Sequence, residues 1–198
     1  MWRMREVLQV RDSILGVAQR RFTHYGYPKT TMAEIADECD MSTGNLYRYF
    51  DGKLELATHI ASNHITDIQE RLQPILTCNF RTAAQRLEEY MLHDLRYSYD
   101  LLKNQPKLLE MVQIVAVARP RFQIRSELRE KKHIASILRD GKEKGEFAIK
   151  SAEEMAGNIQ TATLKFRYSP VFAPQKLEEL EKELKNILHL ILNGILPR

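Results

Sequence analysis

The sequence predicts an all-α fold of about nine helices, and three observations support this prediction. Apolar residues recur at spacings of three and four along almost the whole chain, which places them on one face of each helix. Glycine and proline mark the ends of these periodic segments, as in YGYP at residues 25–28. Two segments open with the pattern of a capping box, Thr31 with Glu34 and Ser151 with Glu154.

Length and composition limit the class of protein. At 198 residues and 23.2 kDa, the chain can form one domain of ordinary size or a small domain fused to a larger one. Cys39 and Cys78 suit neither a disulfide framework nor the paired spacing of a zinc site, so the expected setting is a reducing cytoplasm. No apolar run reaches the ~18 to 20 residues of a membrane span, so no membrane partner is expected.

The charge is distributed unevenly along the chain. A net charge of +4 and a pI near 9.0 permit a nucleic-acid partner. Residues 1–55, however, carry eight Lys/Arg and eight Asp/Glu, whereas residues 119–132 carry six basic and two acidic residues. Any nucleic-acid binding by the N-terminal quarter must therefore depend on the placement of particular side chains.

Capping residues, glycine and proline predict where the first three helices begin and end. We predict the first helix from about Arg5 to His24, where the glycine and proline of residues 25–28 end it. The second helix starts after Thr31 and ends near Cys39. Residues 40–42 form a turn, and Ser42 is the expected N-cap of a short third helix.

The third helix, STGNLYRYF at residues 42–50, is too polar to be a core helix. Leu46 and Phe50 are its only purely apolar side chains, and their i, i+4 spacing lets them anchor one side. The other side carries groups that hydrogen-bond phosphates and base edges, namely Thr43, Asn45, Tyr47 and Arg48. Two short helices joined in this way are typical of a DNA-binding helix-turn-helix, but a plain helical hairpin has the same pattern.

Four stretches carry a family resemblance: FTHYGY at 22–27, TTMAEIA at 30–36, STGNLYRYF at 42–50, and Lys53 with Leu56. Through them the run from Ile14 to Leu56 resembles the N-terminal DNA-binding domain of TetR-type transcriptional regulators. The resemblance implies that the third helix enters the major groove and that Tyr47 and Lys53 touch phosphates. The DNA-contact positions it implies are Thr31, Ser42, Thr43, Asn45, Tyr47, Tyr49 and Lys53. Gly44 and Arg48 complete the predicted set as candidates for base edges.

Three positions depart from the family pattern. Asp40 stands where glycine is usual in the turn, and Asp tolerates left-handed backbone angles better than most residues. Tyr49 replaces a frequent histidine and could keep a phosphate hydrogen bond through its hydroxyl. Gly52 stands where Ser or Asn commonly caps the fourth helix, which leaves Asp51 or Gly52 as the cap.

Six further helices are predicted after the third. Their ranges are from Lys53 to before Pro74, from Arg81 to Asn104, between Pro106 and Pro120, from Arg119 to Lys144, from Ser151 to Tyr168, and from Lys176 to Ile195. Residues 108–118, LLEMVQIVAVA, are apolar nearly all round and are expected to be buried on most sides. The loop RYSPVFAP at 167–174 separates the last two helices.

The second half of the chain offers candidates for a ligand cavity. They are Tyr90, His93, Tyr97, Met111, Val115, Phe122 and Phe166, with Asp94 and Tyr99 as polar neighbours. Any one of them could equally be a core residue. An apolar 107–118 segment favours an aromatic or lipid-like ligand, and the basic run 119–132 would suit an anionic one, although such a run is ordinarily a solvated face.

The last helix has more apolar surface than one core requires. About 20 residues at 1.5 Å give a length of roughly 30 Å and a wide apolar face. The resemblance implies a four-helix dimer interface here, and the candidate residues are Met155, Ile159, Ala162, Leu184, Ile187 and Ile191. Two recognition helices held about 34 to 36 Å apart could then read the halves of a palindrome.

We therefore predict a helix-turn-helix DNA-binding domain over residues 1–52 and a helical ligand-binding and dimerisation domain over residues 53–198. The resemblance implies a homodimeric transcriptional regulator, most often a repressor released from a palindromic operator in double-stranded DNA by a small-molecule effector. The alternative is a helical ligand-binding or interaction module that does not read DNA. No enzyme, cofactor or metal site is predicted, because the six histidines lack metal-ligand spacing and no glycine-rich phosphate loop is present.

Overall fold

The computed structural model describes residues 2–167 and 175–195, and every regular element in these two ranges is helical. The elements are α1 (Trp2–Tyr25), α2 (Met32–Glu38), α3 (Thr43–Leu46), α4 (Lys53–Leu76), α5 (Ala83–Asn104), α6 (Pro106–Ala118), α7 (Pro120–Glu143), α8 (Ala152–Ala162), the 3-10 helix η1 (Leu164–Arg167) and α9 (Leu177–Ile195). The predicted all-α fold with about nine helices is confirmed.

The chain forms two compact units that do not follow the sequence order. The first unit comprises Met1–Asp67 and Gln105–Gln123, and the second comprises Ile68–Asn104 and Ile124–Arg198. Helix α6 therefore belongs with the N-terminal helices, although two helices of the second unit flank it in the sequence. The predicted domain boundary between residues 52 and 53 stays a prediction.

The core of the first unit is built from the apolar faces of α1 to α4. Ile14, Phe22, Ile35, Leu46 and Leu56 are all 0% exposed. Their spacing within each helix is the helical repeat that the sequence showed, so burial of these faces holds the short helices α2 and α3 in place.

Helix α6 packs against α1 in this unit, and the Lys107 ammonium donates to the carbonyl of His24. The prediction that residues 108–118 are buried on most sides is wrong. Leu108, Met111 and Val115 form one buried stripe, whereas Val117 is 83% exposed. A helix that lies against its neighbours along one face buries only that stripe, even when its other residues are apolar.

Three predicted helix ends are also wrong. Helix α4 continues past Pro74 to Leu76, because proline removes only its own N–H and the Thr77 amide still bonds the Gln73 carbonyl at 3.0 Å. Helix α8 ends at Ala162 and gives way to η1, so it does not reach residue 168. The third helix is α-helical only over Thr43–Leu46. Of the predicted loop 167–174, residue 167 ends η1 and residues 168–174 lie outside the described residues.

The second unit has a core of its own, formed by α5, α7, α8 and α9. Leu87, Leu95, Leu138 and Leu180 are 0% exposed. At Gly141 the helices are so close that a Cβ atom would lie 2.4 Å from a Phe147 ring carbon and 2.7 Å from the Ala83 Cβ. This glycine is therefore required by close packing.

A partly buried ion pair joins three elements of the second unit. Arg86 on α5 is 3% exposed and pairs with Asp140 on α7. Its other terminal nitrogen donates to the carbonyl of Leu76, the last residue of α4, at 3.1 Å. The Arg86 guanidinium thus ties the end of α4 to α5 and α7.

Candidate nucleic-acid interface

Helix α2 is fixed at its start by a complete capping box. The Thr31 hydroxyl accepts from the Glu34 amide at 3.2 Å, and the Glu34 carboxylate accepts from the Thr31 amide at 2.8 Å. Arg21 on α1 pairs with Glu34 at 3.0 Å and with Glu38 at 3.2 Å. The backbone hydrogen bond from Thr31 lowers the pKa of the Glu34 carboxyl, and the hydrogen bond from Arg21 lowers that of Glu38. The predicted cap is confirmed, and α2 is also held to α1 by charge.

The turn between α2 and α3 depends on one left-handed residue. Asp40 has a φ of 53°, and the Met41 amide closes the turn on the Ala36 carbonyl at 3.0 Å. Asp tolerates these backbone angles better than most non-glycine residues. The prediction that Asp40 keeps the glycine-type turn is therefore confirmed.

Helix α3 presents a polar face above a buried anchor. The Ser42 hydroxyl caps it by accepting from the Asn45 amide at 3.2 Å, and Leu46 and Phe50 are 0% and 1% exposed. Both the cap and the two anchors agree with the sequence prediction. On the other side, Ser42, Gly44, Tyr47 and Arg48 are exposed, and Thr43 and Asn45 are partly exposed. This face offers hydroxyl, amide, phenol and guanidinium groups, which suit a polar partner such as a DNA groove.

Tyr49 lies apart from that exposed face. Its side chain is partly buried and lines a surface depression with residues of α1, namely Glu6, Val7, Gln9, Val10 and Ser13. The predicted phosphate contact by Tyr49 stays a prediction, and the structure places this tyrosine between the end of α3 and α1.

The Lys53 ammonium is already bound to protein groups. It donates to the carbonyls of Tyr27 at 2.8 Å and Thr30 at 2.9 Å, and it lies 4.4 Å from the centre of the Tyr27 ring. Burial lowers the pKa of this lysine, and the charge of Glu34 raises it in part. A longer hydrogen bond, at 3.4 Å, goes to the carbonyl of Pro28. Lys53 therefore connects the start of α4 to the loop between α1 and α2, and a phosphate would have to compete with three carbonyls.

Arg11 is not among the residues predicted from the sequence. Its guanidinium donates to the carbonyl of Tyr49 and lies 4.0 Å from the centre of the Phe50 ring. Arg11 is 38 residues before Tyr49, and no local pattern in the sequence signals such a contact.

The ligand-cavity candidates are divided between the two units. Met111, Val115 and Phe122 belong to the first unit, and Tyr90, His93, Tyr97 and Phe166 to the second. Phe166 is 1% exposed and belongs to the core of the second unit. The Tyr90 hydroxyl lies 3.3 Å from the Nδ1 atom of His133, a residue that sequence reasoning missed. Burial lowers the pKa of His133 and of His93, and nearby arginines lower both further.

The dimer candidates fall into two groups. Ile159 and Leu184 are 0% exposed and pack in the core of their own chain. Met155, Ile187 and Ile191 are partly buried, and Ala162 is exposed. Two other apolar side chains in this unit are exposed, Leu164 at 48% and Leu190 at 71%. Both are more exposed than any predicted interface residue except Ala162, which is small.

The described residues contain neither a candidate metal site nor a candidate membrane span. In residues 2–167 and 175–195, no cluster of three or more His, Cys, Asp or Glu side chains could hold a metal ion. Within that same part of the chain, no helix is both long and apolar enough to cross a membrane.

Two family models match the chain. The one described as "Bacterial regulatory proteins, tetR family" matches residues 14–60, from the middle of α1 into α4. The one described as "Tetracyclin repressor-like, C-terminal domain" matches residues 83–188, which is more than half of the chain.

Individual proteins agree with these matches. The "HTH-type transcriptional regulator QacR" of Staphylococcus aureus (strain Mu50 / ATCC 700699) is 25% identical over 198 residues, 95% of this chain and 99% of its own length. The "Probable acrEF/envCD operon repressor" of Escherichia coli (strain K12) is 27% identical over 104 residues, which is 52% of this chain and 47% of that repressor. The chain thus spans about half the length of this relative.

A solved structure shows the same fold. A transcriptional regulator from Cytophaga hutchinsonii ATCC 33406 superposes with a TM-score of 0.65 at 25% sequence identity, and the match covers 93% of this chain and 97% of that one. With its capped helix-turn-helix and its helical second unit, the chain belongs to the TetR family of DNA-binding transcriptional regulators.

Proposed function

We propose that this regulator is a homodimeric repressor that binds a palindromic operator and leaves it when a small hydrophobic or amphipathic molecule binds. The observation that carries the proposal is the polar face of α3 above the buried Leu46 and Phe50. A rigid anchor beneath an exposed polar face is what reading of the major groove requires. The name of the E. coli relative supports repression as the direction of control.

The residues of α3 are given different roles. Asn45 is partly exposed and Arg48 is exposed, and their side chains suit paired hydrogen bonds to adenine and guanine edges. Thr43 and Gly44 let the helix approach the bases closely. Tyr47 is 50% exposed and is assigned to a phosphate. Lys53 can contact a phosphate as well only if its hydrogen bonds to the backbone carbonyls break.

The test begins with a random DNA pool, from which the wild-type chain should enrich one duplex with an inverted repeat. Asn45→Ala should lose discrimination at one or two base pairs, about 1–3 kcal/mol each. Tyr47→Phe removes only a hydroxyl and should weaken enriched and random duplexes alike. The control is Lys182→Ala, at an exposed position of α9, which should change neither the discrimination between base pairs nor the affinity for either duplex.

Salt dependence supplies a second readout. Each phosphate neutralised by a Lys or Arg side chain contributes about 0.9 to the log–log slope of affinity against salt, whereas a hydroxyl contact such as that proposed for Tyr47 contributes little. A wild-type chain that enriches no sequence and shows no salt-dependent binding would support the alternative, a helical ligand-binding module that does not read DNA.

Dimerisation is supported by the exposed apolar side chains of the second unit. Leu190 and Leu164 would be covered by a second copy of the chain, together with the partly buried Ile187 and Ile191. Leu190→Glu should give a monomer in sedimentation equilibrium and weaken binding to the enriched duplex, whereas Lys182→Glu should stay dimeric. A dimeric Leu190→Glu variant would place the interface elsewhere.

The effector is proposed to hydrogen-bond to polar groups within the second unit. Tyr90 is 2% exposed and belongs to the core of the second unit, and its hydroxyl lies 3.3 Å from the Nδ1 atom of His133. Release of the enriched duplex by a panel of aromatic and lipid-like molecules would identify the class, and Tyr90→Phe should change the concentration required. If Arg121→Gln with Arg125→Gln leaves the response to the anionic members unchanged, the basic run does not bind the effector.

A further inference from the structure

The C-terminal end of α3 cannot be held by the helix itself. The helix has four residues, and the chain continues to Phe50 through turns such as the Tyr49 amide on the Leu46 carbonyl at 3.0 Å. A single turn is unstable in water, and the last carbonyls of a helix have no partner within it. Contacts from other elements must therefore fix the direction of its exposed face.

Beside the buried anchors Leu46 and Phe50, Arg11 on α1 supplies contacts of this kind at the end of α3. Its guanidinium donates to the Tyr49 carbonyl, lies over the Phe50 ring at 4.0 Å, and has one nitrogen 3.4 Å from the Nε2 atom of His59 on α4. The rings of Phe50 and His59 meet edge to face with their centres 5.6 Å apart. One side chain thus joins α1, the end of α3 and α4.

The shape of the guanidinium suits this place. It is planar, and its face can stack on an aromatic ring while its edge donates to oxygen. A lysine ammonium is a compact charge and could keep only one of these contacts. Arg11 is also partly buried, with its charged group directed at protein atoms.

We propose that Arg11 is a positioning residue for DNA reading: it sets the orientation of the exposed face of α3 and does not itself contact DNA. The proposal rests on the proposed DNA reading by α3. Loss of Arg11 should therefore weaken binding to the preferred sequence selectively, whereas loss of a phosphate contact weakens binding to all sequences.

The experiment compares Arg11→Met and Arg11→Lys with Arg20→Met. Arg20 lies on the same helix, its side chain is 66% exposed, and its loss removes the same charge. Arg11→Lys keeps the charge and the alkyl stem, so it serves as the folded variant if Arg11→Met does not fold.

Two readouts are measured on each full-length variant. Hydrogen exchange of the free protein should become faster at residues 47–51 in both Arg11 variants and stay unchanged in Arg20→Met. Affinity for the duplex enriched by the wild type should fall about tenfold, with little change for random duplex and an unchanged salt slope.

Three outcomes would decide against the proposal. A salt slope smaller by about 0.9, with equal losses on both duplexes, would make Arg11 a phosphate contact. Unchanged hydrogen exchange at residues 47–51 in the Arg11 variants would show that the guanidinium does not hold α3. The same conclusion would follow if Arg11→Lys had both the exchange rate and the duplex affinity of the wild type. If the wild type enriches no duplex, the proposed function fails, and hydrogen exchange alone still decides whether Arg11 holds the helix.

Discussion

Replacing Gly141 by Ala should destabilise the second unit, although alanine normally stabilises a helix. An exposed Gly→Ala change within a helix gains about 1 kcal/mol. At Gly141 the new Cβ would lie 2.4 and 2.5 Å from two ring carbons of Phe147 and 2.7 Å from the Ala83 Cβ. Phe147 is 3% exposed and has little room to move, and overpacking of this kind costs about 1–3 kcal/mol. Because all three contacts are far shorter than van der Waals distance, the cost should lie in the upper part of this range, about 2–3 kcal/mol, which leaves a net loss of about 1–2 kcal/mol.

Thermal unfolding tests this prediction. For a chain of this length, 1 kcal/mol corresponds to about 2–4 °C in Tm, so Gly141→Ala should lower Tm by about 2–8 °C. The control is Gly16→Ala on α1, where the nearest atom would be the flexible end of Arg20 at 3.8 Å and Tm should rise slightly. Adding Phe147→Leu to Gly141→Ala should recover part of the loss. If Gly141→Ala is as stable as Gly16→Ala, the helices are not closely packed at Gly141.

Three further changes test other parts of the fold. Thr31→Ala removes the hydroxyl that accepts from the Glu34 amide and should cost about 0.5–2 kcal/mol in the free energy of unfolding, measured with urea; an unchanged midpoint would show that the cap contributes nothing. Leu46→Ala empties a fully buried site, so it should cost about 2–5 kcal/mol and abolish binding to the enriched duplex, and intact binding would mean that Leu46 does not anchor α3. Burial lowers the pKa of His93 and His133, so the unfolded chain takes up protons first and the free energy of unfolding should fall as pH drops below about 6.5. The double variant His93→Gln/His133→Gln should show a flatter dependence of unfolding free energy on pH between 7 and 5. A profile parallel to that of the wild type would argue against partial burial of neutral rings at these two positions.

The sequence was sufficient where the determining interactions are local. The caps at Thr31 and Ser42 lie within three residues of their partners, and Leu46 and Phe50 follow the helical repeat. The left-handed Asp40 could be predicted because few residue types adopt that conformation. Each of these features is determined by residues that are close together in the sequence.

Interactions between distant residues could not be predicted in the same way. Arg11 meets Tyr49 across 38 positions, and Lys53 meets Tyr27 across 26. Long basic side chains have the same appearance in a sequence whether they face solvent or donate to buried carbonyls. The burial of α6 was overestimated for a similar reason, because composition does not show which face of an apolar helix meets a neighbour.

The placement of α6 in the first unit limits how the DNA-reading part can be reused. A fragment ending at residue 67 would keep every proposed DNA contact but would expose the α1 surface that Leu108, Met111 and Val115 cover. We expect such a fragment to aggregate or to lose ordered packing. A chimaera that transplants this DNA specificity onto another sensor must therefore carry residues 105–123 as well, and a simple exchange of N-terminal segments would not be enough.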